Sequence, residues 1–348
     1  MSITKDLVKR LPPIRRLIEQ RAELIAQREA LTNERDALTD ERNALTDERN
    51  AVVQQRDALQ AECSRLNWWA GPEPHFVPPG HFYSPIPSID YVQSNEQRLF
   101  AEPPPTLPAI DLNEPGQIAL LSALQPFYAD LPFSEVARPG LRFFYDNPSY
   151  SYSDAVFLYC MIRHLRPRRI VEVGSGHSSC LTLDVNDLYF DGGIECTFIE
   201  PYPELLLSLL NDGDKASLRL VAKDLQEVPL STFAELAADD ILFIDSTHVS
   251  KVGSDVNYIV FEVLPALAPG VCVHIHDVFY PFAYPMEWTY EGRSWNEDYL
   301  LRAFLQFNRE FEIVLFSDFL HRFHGQRLAE HMPLCLRNKG GSIWLRRR

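Results

Sequence analysis

From residue 150 to its end, the chain alternates short apolar runs with longer segments whose apolar positions recur at helical spacing. The runs at 169–173, 195–200, 218–221, 240–245, 271–276, 311–316 and 342–345 are rich in Ile, Val, Leu and Phe, as strands buried on both faces are. Between them 178–188, 203–211, 230–237, 254–267 and 297–307 read as helices, and 153–165 reads as a helix feeding the first strand. Strands that alternate with helices predict an α/β fold built on a doubly wound, mostly parallel, seven-stranded Rossmann-like sheet. No clear long helix separates the last two strands.

Upstream the pattern changes twice. Leu17, Leu24, Leu31, Leu38, Leu45, Val52, Leu59 and Leu66 recur every seven residues, with no Pro or Gly among them, so 17–66 reads as one continuous helix. With the leucines at d, the a positions are Arg21, Arg28, Arg35, Arg42, Arg49 and Arg56, a poor seam for a parallel dimer. The helix is read as an oligomerising coiled coil or spacer, or as a single charged helix held by i,i+4 pairs. Residues 1–16 form a basic tail in which Pro12-Pro13 interrupts any helix. Residues 67–149 are rich in Pro and aromatics, which predicts a segment packed on a domain: either a cap with His75, His81 and Tyr83 near substrate, or a structural wrap. Within it, 115–129 reads as a short helix. The expected organisation is tail, heptad helix, cap segment, and a catalytic domain over 150–348.

Composition narrows the partners. A net charge of −15 argues against a nucleic-acid backbone. The six cysteines show no C-x-x-C spacing and several sit in apolar runs, as reduced thiols do in a cytoplasmic protein. No apolar stretch reaches transmembrane length and no signal peptide is visible.

The first strand leads into Glu172-Val-Gly174-Ser175-Gly176, followed by His177-Ser178-Ser179, which can open a helix. A strand, a glycine turn and a helix N-terminus aim backbone N–H groups at a ligand, and the acid before the glycines suits a ligand with a cationic end. The stretch resembles motif I of the class I S-adenosylmethionine-dependent methyltransferases. Later strand ends extend the resemblance over about 150–348. Glu200 ends the second strand, Asp224 follows the third and Asp245 ends the fourth. Singly, each also reads as a helix cap or surface acid. Together they imply a site for S-adenosyl-L-methionine formed by Glu172, Gly174, Ser175, Gly176, Glu200, Asp224 and Asp245, with Glu200 on the ribose hydroxyls and Asp224 on the adenine amine.

Asp245-Ser-Thr-His248 and His274-Ile-His276-Asp277 form a second group at adjacent strand ends. It is similar to the metal site of catechol-type O-methyltransferases and of macrocin-type sugar and antibiotic O-methyltransferases. The resemblance implies a divalent metal, Mg²⁺ or Mn²⁺, on Asp245, His276 and Asp277. An imidazole in that set departs from the family's acid–amide pair and favours Mn²⁺, Fe²⁺ or Zn²⁺, unless His276 does not ligate. His248 stands where the catechol-type pattern has a lysine base; with an ordinary pKa of about 6.5 it suits removal of a hydroxyl proton, and it also reads as a helix cap. Lys251 is a weaker base, and His274 a supporting residue.

The loop 279–298 carries Phe279, Tyr284, Trp288, Tyr290, Trp295, Glu287, Glu291, Arg293 and Glu297. Aromatic faces beside acids suit a carbohydrate acceptor, or they pack the lid. The expected activity is O-methylation of a sugar, glycan or glycosylated natural product, with His248 and Asp245 catalytic. Cephalosporin-hydroxylase-like relatives share this core, so a metal-dependent reaction other than methyl transfer stays open. So does an assembly protein whose domain binds ligand without turnover.

Overall fold

The structure, a computed structural model, describes residues 12–70 and 76–348. His75 and the first eleven residues of the basic tail lie outside them. The chain divides into two compact units, with the boundary between Pro85 and Ile86.

The first unit is dominated by helix α1, Pro12–Ala70. The two prolines open this helix rather than interrupt it, because N–H groups in a first turn have no intrahelical partner to lose. Its leucine row lies uncovered: Leu17 to Leu59 are 58–65% exposed, Val52 included. In the same unit His81 and Tyr83 contact each other, with ring centroids 5.6 Å apart.

The second unit holds the sheet. Its strands are β1 (Arg169–Val173), β2 (Glu195–Ile199), β3 (Leu220–Val221), β4 (Ile241–Ile244), β5 (Cys272–His276), β6 (Phe311–Phe316) and β7 (Ser342–Arg347). Their order is β3-β2-β1-β4-β5-β7-β6, with β7 antiparallel to both neighbours and the remaining pairs parallel. Helices α2 (Glu114–Tyr128), α3 (Tyr152–Leu165), α4 (His177–Phe190) and α5 (Glu297–Leu305) supply covering layers. The segment expected as one helix over 254–267 is α-helical at both ends with a π-helical stretch, Ile259–Val263, just before Pro265.

Two features of the sheet position the site. The order reverses between β1 and β4, opening a crevice at their C-terminal ends. Across the sheet, Glu172, Phe243, His274 and Trp344 stand in one register row. All four are buried. His274 stacks on Phe243 at 4.3 Å between centroids, and neither of its ring nitrogens has a hydrogen-bond partner. Burial first, then the charge of His276, lowers its pKa to about 3, so it sits neutral in the core. Among the described residues, no helix is long and apolar enough to cross a membrane.

Candidate active site

The chain leaves β1 through Gly174, whose φ is +78°. A Cβ here would run into the backbone carbonyl oxygen of Asp245, so glycine is what lets the ends of β1 and β4 approach. Backbone bonds tie three strand ends together: Gly174 N–H donates to Ile199 O (3.0 Å) and Asp245 N–H to Val173 O (2.9 Å). Glu172 faces the other way. It is fully buried, and Oε1 accepts hydroxyl bonds from Ser178 (2.6 Å) and Ser179 (2.8 Å) at the start of α4. Its Oε2 has no partner. Burial outweighs the two hydroxyls and raises its pKa to about 8.

Two cavities open at the strand ends. The first, about 350 Å³, is lined by Gly174, Glu200, Asp224, Gln226, Lys251 and the segment Asp245–Thr247, among others. Glu200 is already set in place: Ser175 N–H donates to Oε2 (3.2 Å) and Tyr202 N–H to Oε1 (2.8 Å). Of the residues expected around a nucleoside cofactor, Gly174, Glu200, Asp224 and Asp245 meet here; Glu172, Ser175 and Gly176 do not line the cavity.

The second cavity, about 690 Å³, shares Asp245, Ser246 and Thr247 with the first. His248, His276, Asp277 and Asp154 also line it, with Trp288 and Trp295 on its wall. Arg293 stands 4.2 Å from the Trp288 ring centroid, and its Nε donates to Glu291 (2.9 Å).

His248 is held from several sides. Its φ is +59°, uncommon for a residue with a Cβ. Asn296 and Glu297 N–H both donate to its carbonyl (3.1 and 3.2 Å), and the Trp295 ring lies 4.4 Å from the imidazole. Nδ1 is 2.9 Å from Glu297 Oε2, leaving Nε2 facing Asp245 Oδ1 (3.3 Å) and Asp277 Oδ2 (3.7 Å). His276 repeats the arrangement. Nε2 is 3.5 Å from Asp154 Oδ2, and Nδ1 is 3.5 Å from that same Asp245 Oδ1. Asp154 is fixed in turn by Ser342 Oγ–H (2.8 Å). The result is a chain of groups, Glu297–His248–Asp245–His276–Asp154, with Asp277 touching both imidazoles.

Its electrostatics follow from that alternation. Loss of water would raise the pKa of Asp245, but the imidazoles of His276 and His248 outweigh this and hold it well below the carboxylate range. Burial would depress His248, yet Asp245 and Glu297 raise it to about 10. His276 is likewise raised, its burial overcome by Asp277, Asp245 and Asp154. Burial raises Asp277 and Glu297, against the pull of the histidines. Donor atoms of Asp245, His248 and Asp277 lie within 4.8 Å of one another, and two carboxylates with one imidazole fit a divalent cation. His276 Nδ1 faces this set and has no hydrogen-bond partner.

Residues 171–278 match a family model described as a methyltransferase domain. A protein of Archaeoglobus fulgidus, itself uncharacterized, is 35% identical over 164 residues, which cover 46% of this chain and 73% of that protein. Over residues 171–278, less than a third of its length, the chain is similar to that methyltransferase family. Similar solved structures include the SAH-bound methyltransferase PaMTH1 of Podospora anserina (15% identity, 56% of this chain, 77% of that one, TM-score 0.37). Another is a methyltransferase from Geobacter sulfurreducens (16% identity, 74% of this chain, 97% of that one, TM-score 0.29).

The matched range runs from β1 to just past β5 and contains Glu172, Glu200, Asp224, Asp245, His248, His276 and Asp277. Asp154, Trp288, Trp295 and Glu297 fall outside it. Sequence reasoning missed Asp154 altogether, and placed Glu297 on the acceptor rather than behind His248. A buried acid on the apolar helix α3 was the available signal for Asp154. For Glu297 no local signal exists, because its partner is 49 residues away.

Proposed function

We propose that this protein is a methyltransferase that transfers a methyl group from S-adenosyl-L-methionine to a hydroxyl of a sugar, glycan or glycosylated natural product. The observation that carries the reading is the junction of the two cavities at Asp245–Thr247, with the next residue, His248, lining the second cavity. In the first cavity Glu200 accepts from ribose hydroxyls, Asp224 from the adenine amine, and Gly174 leaves room for the backbone to approach. Glu172, Ser175 and Gly176 shape the turn and the start of α4. Bound there, the cofactor supplies an electrophilic methyl group.

The second cavity takes the acceptor. Trp288 and Trp295 offer faces for sugar C–H groups, and the carboxylates accept from hydroxyls. His248 Nε2 takes the acceptor proton, while Glu297 on Nδ1 fixes the tautomer and ring direction. A base must be neutral first, and the chain's own acids hold His248 protonated. Asp245 faces both cavities, so positive charge placed in either one weakens its hold on that imidazolium. Holding the partners in line and removing one proton is most of what methyl transfer asks of a protein.

A second reading rests on the convergence of Asp245, His248 and Asp277. Here these residues, with His276 alongside, hold a divalent ion such as Mg²⁺ or Mn²⁺ that would polarise the acceptor oxygen, and His248 is a ligand rather than the base. Turnover abolished by chelation and restored by metal favours this reading over the first.

We place the protein in the cytoplasm, a setting its free buried thiols suit, and organise it as tail, heptad helix, cap segment (67–149) and catalytic domain (150–348). It acts as a homo-oligomer joined through α1. The test of the central reading is calorimetric titration of S-adenosylhomocysteine into wild type and Glu200→Ala. Micromolar binding weakened about 10–100-fold by the substitution is expected, the loss of charged hydrogen bonds to a bound ligand. No binding to wild type would sink it and leave an assembly role. If the cofactor binds but product mass rises by one oxygen rather than one methylene, the hydroxylase-like reading replaces it.

A further inference from the structure

We propose that α1 pairs with a second copy of itself as an antiparallel two-stranded coiled coil, each leucine row packing on the other copy's arginine row. The proposal rests on the reading that the helix self-associates, and adds its stoichiometry and direction.

The face is repetitive and uncovered. α1 has 59 residues, about 90 Å at the usual rise. Leu31, Leu38 and Leu45 are 64%, 58% and 59% exposed. The arginines do not cover them. Arg35 and Arg56 donate to the next residue, Asp36 and Asp57, and Arg42 and Arg49 donate to Asn43 and Asn50. The row from Leu17 to Leu59 offers roughly 400–800 Å² of coverable apolar surface. That approaches the share of about 800 Å² per partner found in stable interfaces.

Charge decides the direction. In a parallel pair each a position faces its own copy, so every layer from Arg21 to Arg56 would set arginine against arginine. In an antiparallel pair a faces d of the partner. The arginine stem then lies over a leucine while its guanidinium reaches the seam edge, where Glu34, Glu41 and Glu48 stand at g. The e positions agree. Ile18 and Ile25 lie near one end and Val53 near the other. Running the helices in opposite directions brings these apolar e residues alongside each other, whereas a parallel pair would set Ile25 against Gln20 and Val53 against Glu48 at g.

The test uses the full chain. Light scattering should give a dimer, and Leu31→Glu/Leu38→Glu/Leu45→Glu should give a monomer whose S-adenosylhomocysteine affinity is unchanged. For direction, cysteines are introduced in a Cys63→Ser background and oxidised mildly. Arg21→Cys alone should give no disulfide-linked dimer. Mixed with Val52→Cys or with Leu59→Cys chains, it should cross-link in one of the two mixtures, which are the registers one heptad apart. A monomeric wild type overturns both self-association and direction. A dimer in which Arg21→Cys links to itself overturns the direction and leaves self-association standing. A trimer or larger assembly overturns the two-stranded pairing.

Discussion

Glu172 on β1 and Asp245 at the end of β4 are inward-facing acids on neighbouring strands, yet their surroundings put them in opposite charge states. Glu172 meets two serine hydroxyls and no cation, so burial wins and its proton is kept to about pH 8. Asp245 meets two imidazoles, each backed by a further buried carboxylate, and stays ionised. The difference extends to the two cavities. On the first side, Glu200 is set by two backbone N–H groups and, among the described residues, meets no charged partner. On the second side each charge exists because of its neighbours. Substitutions on the first side should therefore act locally, and those on the second should spread along the chain of groups.

The largest effect should come from joining the two sides wrongly. Gly174→Ala places a methyl group against the Asp245 carbonyl at a φ that favours glycine, and the ends of β1 and β4 must separate. We expect loss of S-adenosylhomocysteine binding and a lowered melting temperature, read by calorimetry and thermal unfolding. Full cofactor affinity in this variant would show that the strand junction does not shape the first cavity.

Within the second side, His248→Ala should lower kcat by about 10²–10⁴-fold with cofactor affinity kept, the range for loss of a general base. Glu297→Gln keeps an acceptor for Nδ1–H but removes the charge. It should cost about 10–100-fold in kcat, as loss of an outer partner of an active-site histidine does. Steady-state kinetics on whichever acceptor is turned over would separate the two. Equal losses would mean that the carboxylate acts as more than a positioner; no loss in Glu297→Gln would reduce it to packing.

Legibility in the sequence follows the same division. The strands were readable because each is a short apolar run: β1 and β6 have the expected bounds, and the others differ by one or two residues at an end. Acids at strand ends were readable for the same reason, since the end of a strand fixes where its side chain goes. What could not be read is direction across the strand. Glu172 precedes the glycines by two residues, but alternation along β1 turns it toward α4 and away from the first cavity. The second side was half legible: Asp245, His248, His276 and Asp277 lie in two short motifs. Asp154 and Glu297 come from helices far away in the chain, and only tertiary packing brings them to the imidazoles.

The smallest effect tests the opening contrast where no activity is needed. Glu172 has a folded pKa of about 8, above its ordinary 4.5, so the native state binds this proton more tightly than the unfolded chain does. Its contribution is intact below pH 4.5, and stability is lost progressively as pH rises from there to about 8. At roughly 1.4 kcal/mol per pH unit, the deficit reaches about 3 kcal/mol at pH 7. Glu172→Gln cannot ionise and can still accept from Ser178 and Ser179 through its amide oxygen. Denaturant unfolding of the two proteins should give similar stabilities near pH 4.5 and a growing advantage for the glutamine variant toward pH 8. The matching substitution Asp245→Asn should behave in the opposite way, because it removes the counter-ion shared by two imidazoles: its penalty should be present at pH 7 and shrink only as pH falls below the ordinary 3.8, where the unfolded carboxylate takes up its proton while the folded one stays ionised. Parallel pH profiles for the two variants would mean that partner charge does not set the state of these acids, and the contrast between the two sides would fail.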